Sequence, residues 1–193
     1  WNADADGNWS DTANWLDGIV ADGAGNTADF SAVPITAERT VTLDTSRAIG
    51  TLNIGEASLS YYYQNFVSAN DSILTMDNGD GMPVLISSGY RQLYIPLAGA
   101  NGLNLTNAVN TALGSVLGIL GSNSYSGMTI VGTNVQVYPQ STNSFGAMTP
   151  ADGTIVNQGG SIYLTGSAYP AAEPLTLSGN GFGADGQGAL RSS

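Results

Sequence analysis

Met128-Thr129-Ile130-Val131-Gly132, Gly160-Ser161-Ile162-Tyr163-Leu164-Thr165-Gly166 and Pro174-Leu175-Thr176-Leu177-Ser178-Gly179 are three variants of one phrase. In each, apolar and polar residues alternate over a short run that ends on glycine. Alternation sends every second side chain to the same side of a strand. Glycine closes the run because it tolerates the positive φ of a tight turn. Strands of about five residues, with centres roughly 8–14 residues apart, suit a chain that coils into stacked rungs, a β-solenoid. An immunoglobulin-like sandwich also has short strands at this spacing, but it does not require the phrases to repeat.

Working outward, Thr40-Val41-Thr42-Leu43-Asp44 and Thr51-Leu52-Asn53-Ile54-Gly55 alternate in the same way. They predict Val41, Leu43, Leu52 and Ile54 on the inside. Residues 61–67, 72–76, 83–87, 92–97 and 102–106 read as further strands. Asp77-Asn78-Gly79-Asp80-Gly81 reads as a reversal, since Asn and Gly both accept positive φ. The longest apolar run, 112–120, contains Gly114 and Gly118 and reads as a buried rung, too short to span a bilayer. No segment carries a convincing helical period.

Charge narrows the function classes. Fifteen acids stand against four arginines with no lysine or histidine, a net charge of −11. Nucleic-acid binding needs a basic face to displace counterions from phosphates, and an anionic membrane surface needs the same. Without lysine there is no Schiff-base chemistry, and without cysteine there is no disulfide or thiol chemistry. Glycine fills 26 positions and charged residues only 10% of the chain, so the surface is polar but largely uncharged. Disorder is the plain alternative for such a composition, and the repeated β-branched and aromatic alternation argues against it. The first residue is Trp1 rather than Met, which suggests a processed chain or a piece of a longer one.

Residues 1–35 stand apart. They hold six of the twelve aspartates and all three tryptophans, Trp1, Trp9 and Trp15. A first rung left bare exposes backbone groups that pair with any other edge. A polar segment plugged with aromatics therefore reads as an N-terminal cap on solenoid rungs 36–193, with an aromatic ligand site as the alternative. The three indoles would close that end or dock it on the last rung of another subunit.

A family resemblance rests on the same residues. Gly121-x-Asn123-x-Tyr125-x-Gly127-x-Thr129-x-Val131 resembles the signature of autotransporter-associated β-helix repeats. Asn134-Val135-Gln136-Val137, Ser144-Phe145-Gly146, Ile155-Val156 and Gly188-Ala189-Leu190 follow in that family's order. Trp9-Ser10-Asp11-Thr12-Ala13-Asn14-Trp15, Asn26-Thr27-Ala28-Asp29-Phe30 and Thr40-Val41-Thr42-Leu43 resemble the opening of large secreted proteins that carry those repeats. The resemblance covers nearly the whole chain. It implies an all-β, right-handed parallel β-helix exported from a Gram-negative cell to its surface, with no catalytic residues. In the family the Gly-Ala-Leu phrase runs on into another strand, whereas only Arg191-Ser192-Ser193 follow here. A slice of a longer passenger and a subunit ending on an open rung are both expected. Open rungs invite head-to-tail pairing into a homo-oligomer or filament.

The candidate chemistry is thin. Hydrolysis of a sugar polymer needs carboxylates converging on one groove. The candidates are Asp44, Asp71, Asp77 and Asp80, with Arg47 and Arg91 near them in sequence. Turn chemistry explains Asp77 and Asp80 without catalysis, so the chain reads as non-enzymatic. Calcium has two weak signals. Asp4-Ala5-Asp6-Gly7-Asn8 begins like an EF-hand loop but has tryptophans where that loop has its glycine and glutamate. Gly181-Phe182-Gly183-Ala184-Asp185 echoes half of a calcium-binding repeat and occurs once. Tyr61, Tyr62, Tyr63, Phe66, Tyr90 and Tyr94 form an aromatic patch with three readings: core packing, a subunit contact, or a platform for glycan rings. The expected role is a structural solenoid of an extracellular fibre, surface layer or stalk, with an adhesin using the tyrosine patch as the rival reading.

Overall fold

The computed structural model describes residues 1–55, 62–108, 114–165, 172–184 and 186–193. It is an all-β solenoid of about six turns. Its strands pair in parallel throughout. The first face has eight strands: Gly7–Asn8, Arg39–Leu43, Gln64–Ser68, Gly89–Leu93, Ser115–Ile119, Val135–Pro139, Ser161–Leu164 and Leu190–Ser192. The second has seven: Thr27–Asp29, Thr51–Ile54, Val84–Ser87, Leu103–Asn107, Thr129–Val131, Thr154–Val156 and Leu175–Leu177. Among the described residues a third face has three: Arg47–Ile49, Leu74–Met76 and Leu97–Ala98.

Val41 pairs with Phe66, one turn of 25 positions. Turns range from 20 positions, Ser115 to Val135, to 34 positions, Gly7 to Val41. The variation lies in the corners, because parallel pairing holds like residues in register. On the second face Ala28, Leu52, Leu85, Leu105, Val131, Val156 and Leu177 form one inward column. Ala28 through Val156 are fully buried. A first-face column runs Val41, Phe66, Leu93 and Ile119, also buried. Each buried Val, Leu or Ile contributes about 1.5–3 kcal/mol of apolar transfer, so these columns are the main source of stability.

Above the third face the chain turns without strands, and the Gly-Asn-Tyr-Gly motif takes over. An added Cβ at Gly121 would lie 2.4 Å from the Ile95 carbonyl oxygen, a contact only glycine avoids. Buried Asn123 accepts from the Leu97 amide (2.9 Å) and donates to the Ser144 carbonyl (2.7 Å), tying three successive turns together. The Tyr125 hydroxyl, buried, shares a 2.7 Å hydrogen bond with Thr129 Oγ1. Losing such a partner leaves a buried polar group unsatisfied, at about 1–3 kcal/mol.

Val41, Leu43, Leu52 and Ile54 point inward as predicted. Ser115–Ile119 within the apolar run is a rung with four of its five residues buried. Residues 92–97 are not one strand. The strand ends at Leu93, and Tyr94-Ile95-Pro96 turns the corner to Leu97–Ala98 on the third face. Pro96 has no N–H to give a ladder. The strand read at 61–67 is Gln64–Ser68, so strand alternation does not set the directions of Tyr62 and Tyr63. No helix among the described residues is long and apolar enough to cross a membrane.

Candidate functional site

The N-terminal tryptophans are interior. Trp9 is fully buried, and Trp1 and Trp15 are each 6% exposed. Their rings cluster around Phe30, with centroids 5.0 Å (Trp9), 5.3 Å (Trp1) and 5.3 Å (Trp15) away. Phe30 in turn meets Phe66 at 5.0 Å. The indole N–H groups donate to the carbonyls of Ala3, Ala21 and Trp9. Phe66 therefore belongs to this plug and offers no ring to a ligand.

The nearby aspartates clamp the first turn to the next. Asp4 accepts from Arg39 Nε at 2.7 Å and from the Thr36 amide and hydroxyl. Asp6 accepts from the Thr40 amide, and Asp22 from Arg47 (2.8 Å) and the Ala48 amide. Asp44 accepts from the Ser10 amide and hydroxyl. The Arg39 guanidinium, aided by Thr36, holds the Asp4 carboxyl well below the ordinary carboxylate range. For Asp22 partial burial pulls upward, but the Arg47 and Ala48 hydrogen bonds outweigh it and the net direction is down. Asp44 follows the same logic through Ser10. The carboxylates of the EF-hand-like run are thus engaged by protein donors.

The other candidate acids are turn residues. Asp71 sits at φ 54° and is exposed. Asp77 accepts from the Gly79 amide at 2.9 Å, and Asp80 is exposed. Asp185 lies outside the described residues. Among the described residues no group of three or more His, Cys, Asp or Glu is placed to hold a metal ion.

The tyrosines divide. Tyr61 lies outside the described residues. Tyr62 is 45% exposed. Tyr94 is exposed and lines a separate recess with Asp71, Ile73 and Pro96. Tyr63 and Tyr90 come together, ring centroids 5.5 Å apart and tilted 53°. They form one wall of a groove of about 270 Å³ on the outer side of the first face, with Gln92, Gly118, Tyr138 and Gln140.

Register explains the groove. Asn65, Gln92, Gly118 and Tyr138 are successive partners in one outward column. Glycine at the third place removes a side chain between Gln92 and Tyr138, which makes the depression. A Cβ there would meet Leu120 Cδ1 at 3.1 Å and Gln92 Cγ at 3.6 Å. Tyr138 donates to Gln136 Oε1 (2.6 Å), whose Nε2 donates to Ser161 Oγ (3.1 Å). The Tyr163 ring packs 5.0 Å from Tyr138, and Arg191 lies 4.6 Å over Tyr163. Burial raises the Tyr138 hydroxyl above its ordinary value against the opposing pull of Arg191. Arg91 lines the floor with its guanidinium turned inward, donating to the carbonyls of Ile54 (2.7 Å) and Tyr90 (2.8 Å).

Sequence reasoning missed Gly118, Gln136, Tyr138, Gln140 and Tyr163. The spacing of Tyr138 and Tyr163 equals one turn of 25 positions, a signal that could have joined them once the turn length was known. Comparison with family models, with curated proteins and with solved structures finds no match.

Proposed function

We propose that the chain is a non-enzymatic structural β-solenoid, a subunit or segment of an extracellular fibre, surface layer or stalk. It extends through strand pairing at its end rungs. One observation carries this reading: three inward columns each end on an exposed leucine. Val131 and Val156 are fully buried and their next partner Leu177 is 42% exposed. Thr129 and Thr154 lead to Leu175 at 38%, and Val137 and Ile162 to Leu190 at 38%. A further rung in the same register covers all three. The polar, largely uncharged surface is compatible with an extracellular setting, and the absence of cysteine fits a cytosol and an exterior equally.

Covering side chains already about 60% buried gains roughly 1 kcal/mol each, so three leucines give about 3 kcal/mol. Association of a separate copy costs about 4–15 kcal/mol, so hydrogen-bonded ladder pairing must supply the rest. Leu16 and Ile19, 65% and 73% exposed at the opposite end, add apolar area for a second copy. A continuing rung of the same polypeptide bears no association cost.

Electron microscopy and sedimentation of the chain beside Leu177→Asp and Leu190→Asp test the reading. Filaments that both substitutions abolish identify a polymer subunit. Single rods that lengthen when rungs are appended after Ser193, with Leu177 and Leu190 becoming protected, identify a stalk segment. A monomer whose appended rungs stay unpaired overturns both.

A further inference from the structure

We propose that the groove on the first face binds a neutral oligosaccharide, independently of how the ends of the solenoid are covered. A sugar ring offers an apolar face of C–H groups and an edge of hydroxyls, so its site needs aromatic rings beside amides. Both are present. The Tyr63–Tyr90 pair forms one wall and Tyr138, backed by Tyr163, the other. Gly118, which has no side chain, lines the floor between them. Tyr90 and Tyr138 stand on strands two places apart in the face, a span of about 10 Å at the usual strand spacing.

Amides line the same space. The Gln92 carbonyl oxygen accepts from the Tyr94 hydroxyl at 2.5 Å, which fixes the side chain and leaves its NH₂ as the end that can reach a ligand. Gln140 is exposed at the far rim. Gln136 holds the Tyr138 hydroxyl in place from below. The walls are therefore positioned before any ligand arrives, which lowers the ordering cost of binding.

Charge selects the ligand class. Among the described residues no carboxylate lines the groove, and the guanidinium of Arg91 is directed to backbone carbonyls beneath it. A chain of net charge −11 repels polyanions such as uronate polymers. The volume of about 270 Å³ lies just below the range of small-molecule pockets, about 300–1,000 Å³, which fits one or two sugar units of a longer chain lying across the face. A proline-rich peptide also uses aromatic grooves. A sugar hydroxyl can both accept from the Gln92 NH₂ and donate to the side-chain carbonyl of Gln140, whereas a polyproline peptide can only accept, so the amide pair favours the sugar.

The test is titration of the whole chain with cellohexaose, mannohexaose and xylohexaose, beside a polygalacturonate oligomer and a polyproline decapeptide, read by NMR shifts of ¹³C-labelled tyrosine rings. Shifts at Tyr63, Tyr90 and Tyr138 with at least one neutral hexasaccharide, and none with the polyanion, are expected. Tyr138→Ala should weaken that binding about tenfold, equivalent to about 1.4 kcal/mol. Gln140→Ala, at an exposed position that cannot unfold a rung, should weaken it severalfold, while Asp80→Asn, an exposed turn residue outside the groove, should change it much less. Shifts only with the peptide, equal binding by wild type, Tyr138→Ala and Gln140→Ala, or no shift with any neutral hexasaccharide each overturn the proposal.

Discussion

The two ends of the solenoid handle the same problem in opposite ways. At the first turn Ala28 heads a column and is fully buried, because three indoles and Phe30 close over the end. At the last turn Leu177 ends that same column and is 42% exposed. Leucine is the larger and more apolar residue, yet it is the exposed one. Burial here is set by what lies next along the axis, and residue type decides only how much that neighbour is worth. The polar contacts divide in the same way. Four aspartates pin the first turn to the second, whereas among the described residues Leu175–Leu177 and Leu190–Ser192 each pair on one side only.

The largest expected effect comes from breaking the closed end. Trp9→Ala removes the fully buried centre of the plug and should cost about 3–5 kcal/mol. For a chain of this size that corresponds to a fall in melting temperature on the order of 10 °C, measurable by circular dichroism. A fall of only a degree or two would mean that the rungs are stable without their plug.

The comparison sharpens within one column. Leu105→Ala, fully buried in mid-solenoid, should cost about 2–5 kcal/mol. Leu177→Ala removes the same atoms from a part-exposed site and should cost under about 1 kcal/mol in the isolated chain. Denaturant midpoints of the two variants give the ratio directly. Equal losses would show that Leu177 is already covered in solution, by a second copy.

The smallest effect is one of acid. Asp4, Asp22 and Asp44 have folded pKa values below their unfolded ones. Their contribution is fully present above the unfolded carboxyl value of about 4 and is lost as pH falls through the folded values. Glu173 runs the other way. Burial raises it, partly offset by its hydrogen bond from Thr154, so its contribution is present below the unfolded value and lost as pH rises through the folded one. Hydrogen-exchange protection factors, corrected for the intrinsic pH dependence of exchange, should therefore fall at the amides of Ser10, Thr36 and Ala48 below about pH 4. The Thr154–Val156 rung beside Glu173 should not loosen with them, and synchronous loss at both ends would contradict separate control.

The rungs were legible because alternation and glycine spacing are local. Val41 with Leu43 and Leu52 with Ile54 needed only five residues each to be placed correctly. The Asn123 and Tyr125 positions were legible as a motif, but their task of tying turns together depends on Leu97, Ser144 and Thr129, which alternation cannot locate. The corner at Pro96 was missed because alternation continues through it while the backbone changes face. The groove was illegible for a related reason. Tyr90, Gly118 and Tyr138 become neighbours only through register, and corners of unequal length hide the period that would align them.

Those unequal corners also bear on how the molecule yields to load. Backbone hydrogen bonds in stacked parallel rungs run along the solenoid axis, so tension applied end to end opens them one rung at a time. Each opened rung of 25 residues, such as Val41 to Phe66, releases about 80–90 Å of chain. Turns of 20 positions, such as Ser115 to Val135 and Val84 to Asn104, release least and the first turn most. Stretched, the molecule is a ratchet of unequal steps, and its order of yielding begins at whichever end is less firmly closed.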